Sequence, residues 1–149
     1  MSSGAMAGTV AVMVDTNVLL DLVAASRPAH AETLRAMRAA LQAGMDLRCL
    51  ASSLKDVYYV YQRHYGSEPA ARTAIRYLRE TLTVLDLTTT MVDAALRSDE
   101  PDYEDGLVRA GAELTGCSYL LTRDTAGFVR STARKVEAAE LARLAEAAG

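Results

Sequence analysis

A chain of 149 residues, half of them hydrophobic and 23% charged, has the size and composition of one globular domain with a single core. A formal net charge of −3 excludes a broad basic coat for nucleic acid, while leaving room for a local basic rim around an acidic site. No apolar run approaches the length of a membrane span.

Met1–Gly8 is small, polar and glycine-containing; it lacks the basic flank and apolar core of a secretory signal and reads as a disordered tail or expression remnant. The domain is expected over residues 9–149. Val10 to Val14 is an apolar run that reads as a buried strand and ends at a carboxylate, Asp15. Val18, Leu19, Leu22 and Val23 then repeat at helical spacing, so Thr16 to Ala25 is predicted as a helix closed by Ser26-Arg27-Pro28. A second helix, Ala29 to Ala43, ends at Gly44 in a C-cap position. Leu47 to Ala51 is a short apolar strand, after which Ser52 or Ser53 caps a third helix that runs to Tyr65 and stops at Gly66. Ser67-Glu68-Pro69 opens a fourth helix with proline in its first turn.

Leu82 to Leu87 alternates apolar with polar residues and is predicted as the third strand. Thr88 to Thr90 cap a short helix reaching Arg97, and the acidic stretch Asp99 to Asp105 leads into a helix ending at Leu114, where acids favour the positive end of the helix dipole. Ser118 to Thr122 is the fourth strand, again ending near an acid, Asp124. Arg130 to Lys135 is too short and mixed to assign, and Val136 to Ala147 reads as a closing amphipathic helix. Strands separated by helices predict an α/β domain with a mainly parallel central sheet flanked by helices. In such sheets ligands sit at the carboxyl ends of the strands, which makes Asp15, Asp56, Asp105 and Asp124 candidates for one site.

Taken singly, each acid has an ordinary explanation as a helix cap, a first-turn residue or a turn. Their joint pattern is specific. Asp15-Thr16-Asn17-Val18-Leu19-Leu20-Asp21 resembles the opening motif of the PIN-domain nucleases, and Ser52-Ser53-Leu54-Lys55-Asp56-Val57-Tyr58-Tyr59 resembles the second acidic region of a bacterial branch of that family. Asp102-Tyr103-Glu104-Asp105-Gly106-Leu107 and Tyr119-Leu120-Leu121-Thr122-Arg123-Asp124 resemble its third and fourth motifs. The resemblance spans Val10 to Phe128 and implies that Asp15, Asp56, Asp105 and Asp124 are metal-binding catalytic carboxylates. It makes Asn17 and Thr122 polar supports and Asp102 an outer acid. It also implies Mg²⁺ or Mn²⁺ as cofactor, an RNA phosphodiester as substrate and a VapC-type toxin branch, with an antitoxin protein and a homodimer as assemblies. The sequence departs from the family where glutamate is usual (Asp56), where alanine is usual (Gly106 and Gly111) and where a further acid often precedes Phe128.

Hard divalent ions take oxygen ligands, and Mg²⁺ retains several waters, so a few carboxylates suffice. His30 and His64 are far apart and no cysteine–histidine set exists, which argues against zinc. Cys49 and Cys117 lie in apolar segments and read as buried free thiols, consistent with a reducing cytoplasm. Lysine occurs only at 55 and 135, so nearly all positive charge is arginine. Arg63, Arg109 and Arg123 follow the acids closely and are candidate guides for substrate phosphates, with an internal ion pair as the alternative for each. A catalytically degenerate PIN fold that binds RNA or protein is the second reading. A haloacid-dehalogenase-like phosphatase would want an acid where Asn17 stands, and a receiver domain would want a lysine at a late strand end.

Overall fold

The computed structural model describes residues 8–148, so the tail expected at Met1–Gly8 lies, apart from Gly8, outside the described residues. Five strands, β1 (Ala11–Val14), β2 (Asp46–Leu50), β3 (Thr83–Leu85), β4 (Tyr119–Leu121) and β5 (Arg134–Val136), form one sheet in the order β3-β2-β1-β4-β5. Every neighbouring pair is parallel. Among the described residues seven helices flank it: α1 (Thr16–Val23), α2 (His30–Gln42), α3 (Ala51–Tyr65), α4 (Glu68–Thr81), α5 (Thr89–Arg97), α6 (Tyr103–Leu114) and α7 (Ala138–Ala148).

The central strand explains the layering. All four residues of β1 are buried, and their side chains alternate between two cores as a period of two requires. Val12 and Val14 join Leu19, Met37, Val57, Leu78 and Leu141 beneath α1–α4 and α7. Ala11 and Met13 join Met91, Leu107, Leu120 and Phe128 beneath α5 and α6. No helix among the described residues is long and apolar enough to cross a membrane.

Local signals act where the sequence places them. Gly44 and Gly66 adopt left-handed backbone after α2 and α3, with φ of +77° and +65°. Ser67 accepts a hydrogen bond from Ala70 N at 3.2 Å and Thr88 accepts one from Met91 N at 3.2 Å, each capping its helix.

Four readings need correction. The helix predicted over Thr16 to Ala25 ends at Val23, with Ala24 already extended. Neither Ser52 nor Ser53 caps α3, because β2 runs straight into that helix at Ala51 with Leu50 in the capping position. Asp56 consequently sits in the second turn rather than the first. The unassigned stretch holds the start of a fifth strand, and Val136 belongs to that strand instead of the last helix. β5 was hidden because only three residues pair, and its polar Arg134 and Lys135 reflect an edge position.

The two helix glycines pack against different surfaces. A Cβ on Gly106 would meet Ala95 Cα, Cβ and carbonyl oxygen, all at 3.1 Å, so the close α5–α6 approach rests on backbone that yields little. A Cβ on Gly111 would meet Leu50 Cδ2 at 2.8 Å and Met13 Cε at 3.1 Å, which are flexible side-chain ends. Alanine gains about 1 kcal/mol over glycine in a helix, against about 1–3 kcal/mol for overpacking. Gly106→Ala is therefore expected to lower the melting temperature by about 3 °C. Gly111→Ala should leave it nearly unchanged; thermal denaturation of both variants checks the contrast.

Candidate active site

Chain order reverses between β1 and β4, since β2 and β3 extend the sheet on one side of β1 while β4 and β5 extend it on the other. At such a switch point the loops leave the strand ends in opposite directions and open a crevice. Asp15 follows β1 there and Asp124 follows β4.

Asp15 is buried and held by two hydrogen bonds. Its Oδ1 accepts from Thr16 N at 2.8 Å and its Oδ2 accepts from Thr122 Oγ1 at 2.8 Å. Thr122 Oγ1 also accepts from Asp124 N at 3.0 Å, so one buried hydroxyl ties the two strand-end acids together. The Asp124 carboxylate is fixed in turn, its Oδ1 accepting from Ala126 N at 2.9 Å and Gly127 N at 3.1 Å. A Cβ at residue 127 would lie 2.8 Å from Asp124 Oδ2 and 3.6 Å from Asp105 Oδ2, so both carboxylates converge on the space that glycine leaves free. Asp105 stands in the first turn of α6, whose cap is Asp102, accepting from Asp105 N at 2.8 Å.

These groups line a cavity of about 480 Å³ together with Asn17, Lys55, Asp56 and Glu104. Asp15, Asp56, Asp105 and Asp124 are thus brought together as the sequence motifs implied, with Asn17 among them. Thr122 acts from beneath through Asp15, and Asp102 acts at the rim through the cap. Asn17 Oδ1 is buried without a hydrogen-bond partner among the described residues, an acceptor left available at the cavity wall.

The electrostatics record the crowding. Burial pushes the Asp105 carboxyl up to about 7, and the charges of Asp102, Asp15, Asp124 and Glu100 add to the effect. Burial also raises Asp15; the hydrogen bonds from Thr122 and Thr16 oppose this, while Asp124 and Asp102 reinforce it. Asp56 is raised by burial, with Lys55 pulling the other way.

Glu104 is a cavity acid that motif reading missed. Its carboxyl is raised first by the charge of Asp56, then by burial, so the two acids face one side of the cavity. Its signal in the sequence was its place between Asp102 and Asp105 in one helical turn. Two further residues hold the loop after β4. Lys135 Nζ donates to the carbonyls of Asp124 at 3.1 Å, Thr125 at 3.1 Å and Gly127 at 2.6 Å. The Glu100 side chain, 3% exposed, accepts from Phe128 N at 2.6 Å, fixing that residue at φ +64°, a region L-residues rarely adopt.

The arginines are placed differently from the expectation. Arg109 bonds Asp99 at 2.8 Å, Glu100 at 3.1 Å, Glu113 at 3.1 Å and the Arg130 carbonyl at 3.0 Å, an internal hub away from the cavity wall. Its internal role is the alternative weighed for it, with partners other than Asp105. Arg63 is exposed in the last turn of α3 and does not line the acidic cavity. Arg123 binds the buried Asp21 at 2.5 Å and 3.2 Å, and Arg27 binds the same carboxylate at 2.9 Å. Asp21 closes the opening motif and was given no role of its own; it lies outside the acidic cavity and holds two arginines.

A family model described as PIN domain matches residues 11–126. The chain belongs to the PIN domain family. No curated protein matches its sequence. The fold of this PIN domain is shared with VapC20 of Mycobacterium tuberculosis, a sarcin-ricin loop cleaving toxin, at TM-score 0.61 and 19% identity over 73% of this chain and 86% of that one. A toxin–antitoxin complex from Klebsiella pneumoniae is similar at TM-score 0.62 and 23% identity, over 85% and 97% of the two chains. A protein of Pyrobaculum aerophilum is similar at TM-score 0.66 and 15% identity, over 93% and 90%. These likenesses concern the fold.

Because Asp105 ionises less readily in the folded chain than at its ordinary value of 3.8, its contribution to stability is full below that value and is lost as the pH rises through about 7. In chelator-containing buffer, Asp105→Asn is expected to be progressively more stable than wild type as the pH is raised from about 5 to about 8. Melting temperatures across that range check the sign.

Proposed function

We propose that this PIN domain is a divalent-metal-dependent endoribonuclease and the toxin of a toxin–antitoxin pair, working in the cytoplasm. The observation that carries the reading is the convergence of Asp15, Asp105 and Asp124 from three separate elements on one cavity, where Lys55 is the only lining cation among the described residues. Fold neighbours that are toxins, alone or in complex with antitoxins, support the second half of it.

The donor set fits a hard cation. Its ligands are carboxylate oxygens with the unpartnered Asn17 Oδ1 beside them. No three acidic, histidine or cysteine side chains among the described residues form a ready metal cage. Mg²⁺ or Mn²⁺ retains much of its water and needs one or two carboxylates; here Asp15 and Asp124 would hold it, with Asp105 and Asp56 lining the same cavity. Bound there, such an ion supplies a nucleophilic water at neutral pH and offsets the charge that builds on the phosphoryl oxygens.

The protein's own groups do the positioning. Thr16 N–H and Thr122 O–H leave the Asp15 carboxylate one orientation, and the N–H groups of Ala126 and Gly127 do the same for Asp124. Asp105, raised to about 7 by burial and its acidic neighbours, is a group whose charged form a cation bound beside it would favour. Glu104 and Asp56 line the same cavity and face each other closely enough for the charge of Asp56 to raise the Glu104 carboxyl. Exposed Tyr59 on α3 and Tyr77 on α4 offer apolar surface for a homodimer or an antitoxin.

Two measurements test this reading. Wild type should cleave mixed single-stranded RNA with Mg²⁺ or Mn²⁺, and Asp15→Asn and Asp124→Asn should each lose at least ~100-fold in rate while remaining folded. RNA binding without cleavage would instead make the chain a binding module, the reading that the short Asp56 side chain favours. Separately, millimolar Mn²⁺ should raise the melting temperature of wild type through mass action and raise that of Asp124→Asn much less. An equal shift in both proteins would place the ion elsewhere.

A further inference from the structure

Beside the acidic cavity lies a second hollow of about 420 Å³ between the ends of α1 and α3, mostly apolar and walled in part by Leu20, Val60, Tyr61 and Tyr65. Leu20 lines both spaces, and Arg123, adjoining Asp124 in sequence, borders the second. Asp56, Val60 and His64 succeed one another every four residues, so one face of α3 leads from the acids to the hollow, about 12 Å along the helix. The two spaces are neighbours, with the buried Leu20 between them.

Its charge is opposite to that of the cavity. Asp21, 1% exposed, is bonded by two guanidiniums, leaving the triad one positive charge in excess. The two arginine side chains remain partly open to solvent, 31% exposed for Arg27 and 41% for Arg123. Asp21 holds them in place, so little order is lost when an anion arrives. On the α3 side the Tyr61 and Tyr65 rings lie 4.5 Å apart, with His64 edge-on to Tyr65 at 4.6 Å. Tyr65 Oη, Ser26 Oγ and His64 Nε2 share hydrogen bonds of 2.8 Å and 3.3 Å at the rim. Fixed cations next to an aromatic and apolar wall match a phosphodiester followed by its base. A purely apolar peptide would leave that charge unanswered.

We propose that this hollow is a nucleotide subsite for the strand cut at the acidic cavity: Arg27 and Arg123 hold a flanking phosphodiester and the Tyr61–Tyr65 wall takes its base. The inference rests on the nuclease reading and adds to it where the substrate lies. It also gives Asp21 a function beyond packing, as the anchor that aims two arginines at one phosphate.

Arg27→Gln and Val60→Glu test the subsite without touching the acidic cavity. The first leaves Arg123 on Asp21, and the second places a negative charge at a surface position 44% exposed. Binding of a single-stranded RNA oligonucleotide is measured over a salt series, with an abasic version of the same strand as a second probe, alongside cleavage and melting temperature. Both variants should stay folded and bind RNA about tenfold more weakly, with a higher KM and unchanged kcat; the melting temperature of Arg27→Gln should fall, because the buried Asp21 loses one of its two partners. Losing one phosphate contact, Arg27→Gln should lower the slope of log affinity against log salt by about 0.7. The abasic strand should bind wild type more weakly than the parent strand.

Wild-type affinity and salt slope in both variants, with wild-type cleavage intact, would overturn the subsite, leave the nuclease reading standing and assign the hollow to a polypeptide. A wild type that neither binds nor cleaves RNA would overturn both. Binding without cleavage would defeat the nuclease reading alone, and the salt slopes would still decide the subsite.

Discussion

Much of this molecule hangs on one buried hydroxyl. Thr122 Oγ1 donates to Asp15 and accepts from the backbone of Asp124, at 2.8 Å and 3.0 Å. A carboxylate with so little exposure is costly unless its oxygens are satisfied. Asp15 meets that demand with one partner from its own helix start and one from the neighbouring strand end. The bond therefore does two things together: it makes burial of the acid tolerable, and it fixes the spacing of β1 and β4 at the sheet's switch point. The cavity exists because those two strand ends are locked side by side while their loops diverge.

Around that bond the chain accumulates charge that works against its own stability. Burial first, and then the charges of Asp102, Asp15 and Asp124, raise Asp105 to about 7, and Asp124 and Asp102 add to the burial that raises Asp15. Groups of this kind are found where folding stability has been given up for chemistry. The strain is confined by rigid surroundings: Lys135 clamps three carbonyls of the loop after β4, and Glu100 holds Phe128 in its left-handed conformation. Neither residue lines the cavity, yet Lys135 holds Asp124 by its carbonyl and Glu100 fixes the loop just beyond it.

The arginines divide by their partners rather than by their distance from acids in sequence. Arg109, one turn from Asp105, turns instead to Asp99, Glu100 and Glu113 and staples the approach to α6 onto the segment at Arg130. Arg123, adjacent to Asp124, turns to Asp21 on the other side of the strand end. Neighbouring residues in an extended segment point to opposite sides, so adjacency to a site acid sends a side chain away from the site. The positive charge that results lies next to the acidic cavity and outside it, which keeps it from neutralising the carboxylates directly.

The sequence by itself determined the α/β class, the buried first strand, most helix ends and the acids that end up together, because those depend on local signals: apolar runs, period, caps and glycines. It also carried the family through four short motifs, which the match over residues 11–126 bears out. Tertiary structure alone decided the rest. β5 is three residues at an edge, too little pairing to leave a pattern in sequence. Glu104 belongs to the cavity only because α6 turns that side of its first turn toward Asp56. Asp21 and its two arginines, six and 102 residues away, are joined by chain closure across the fold. Long-range pairing of charges is invisible to periodicity, since it depends on which segments the parallel sheet brings together and not on the spacing within any of them.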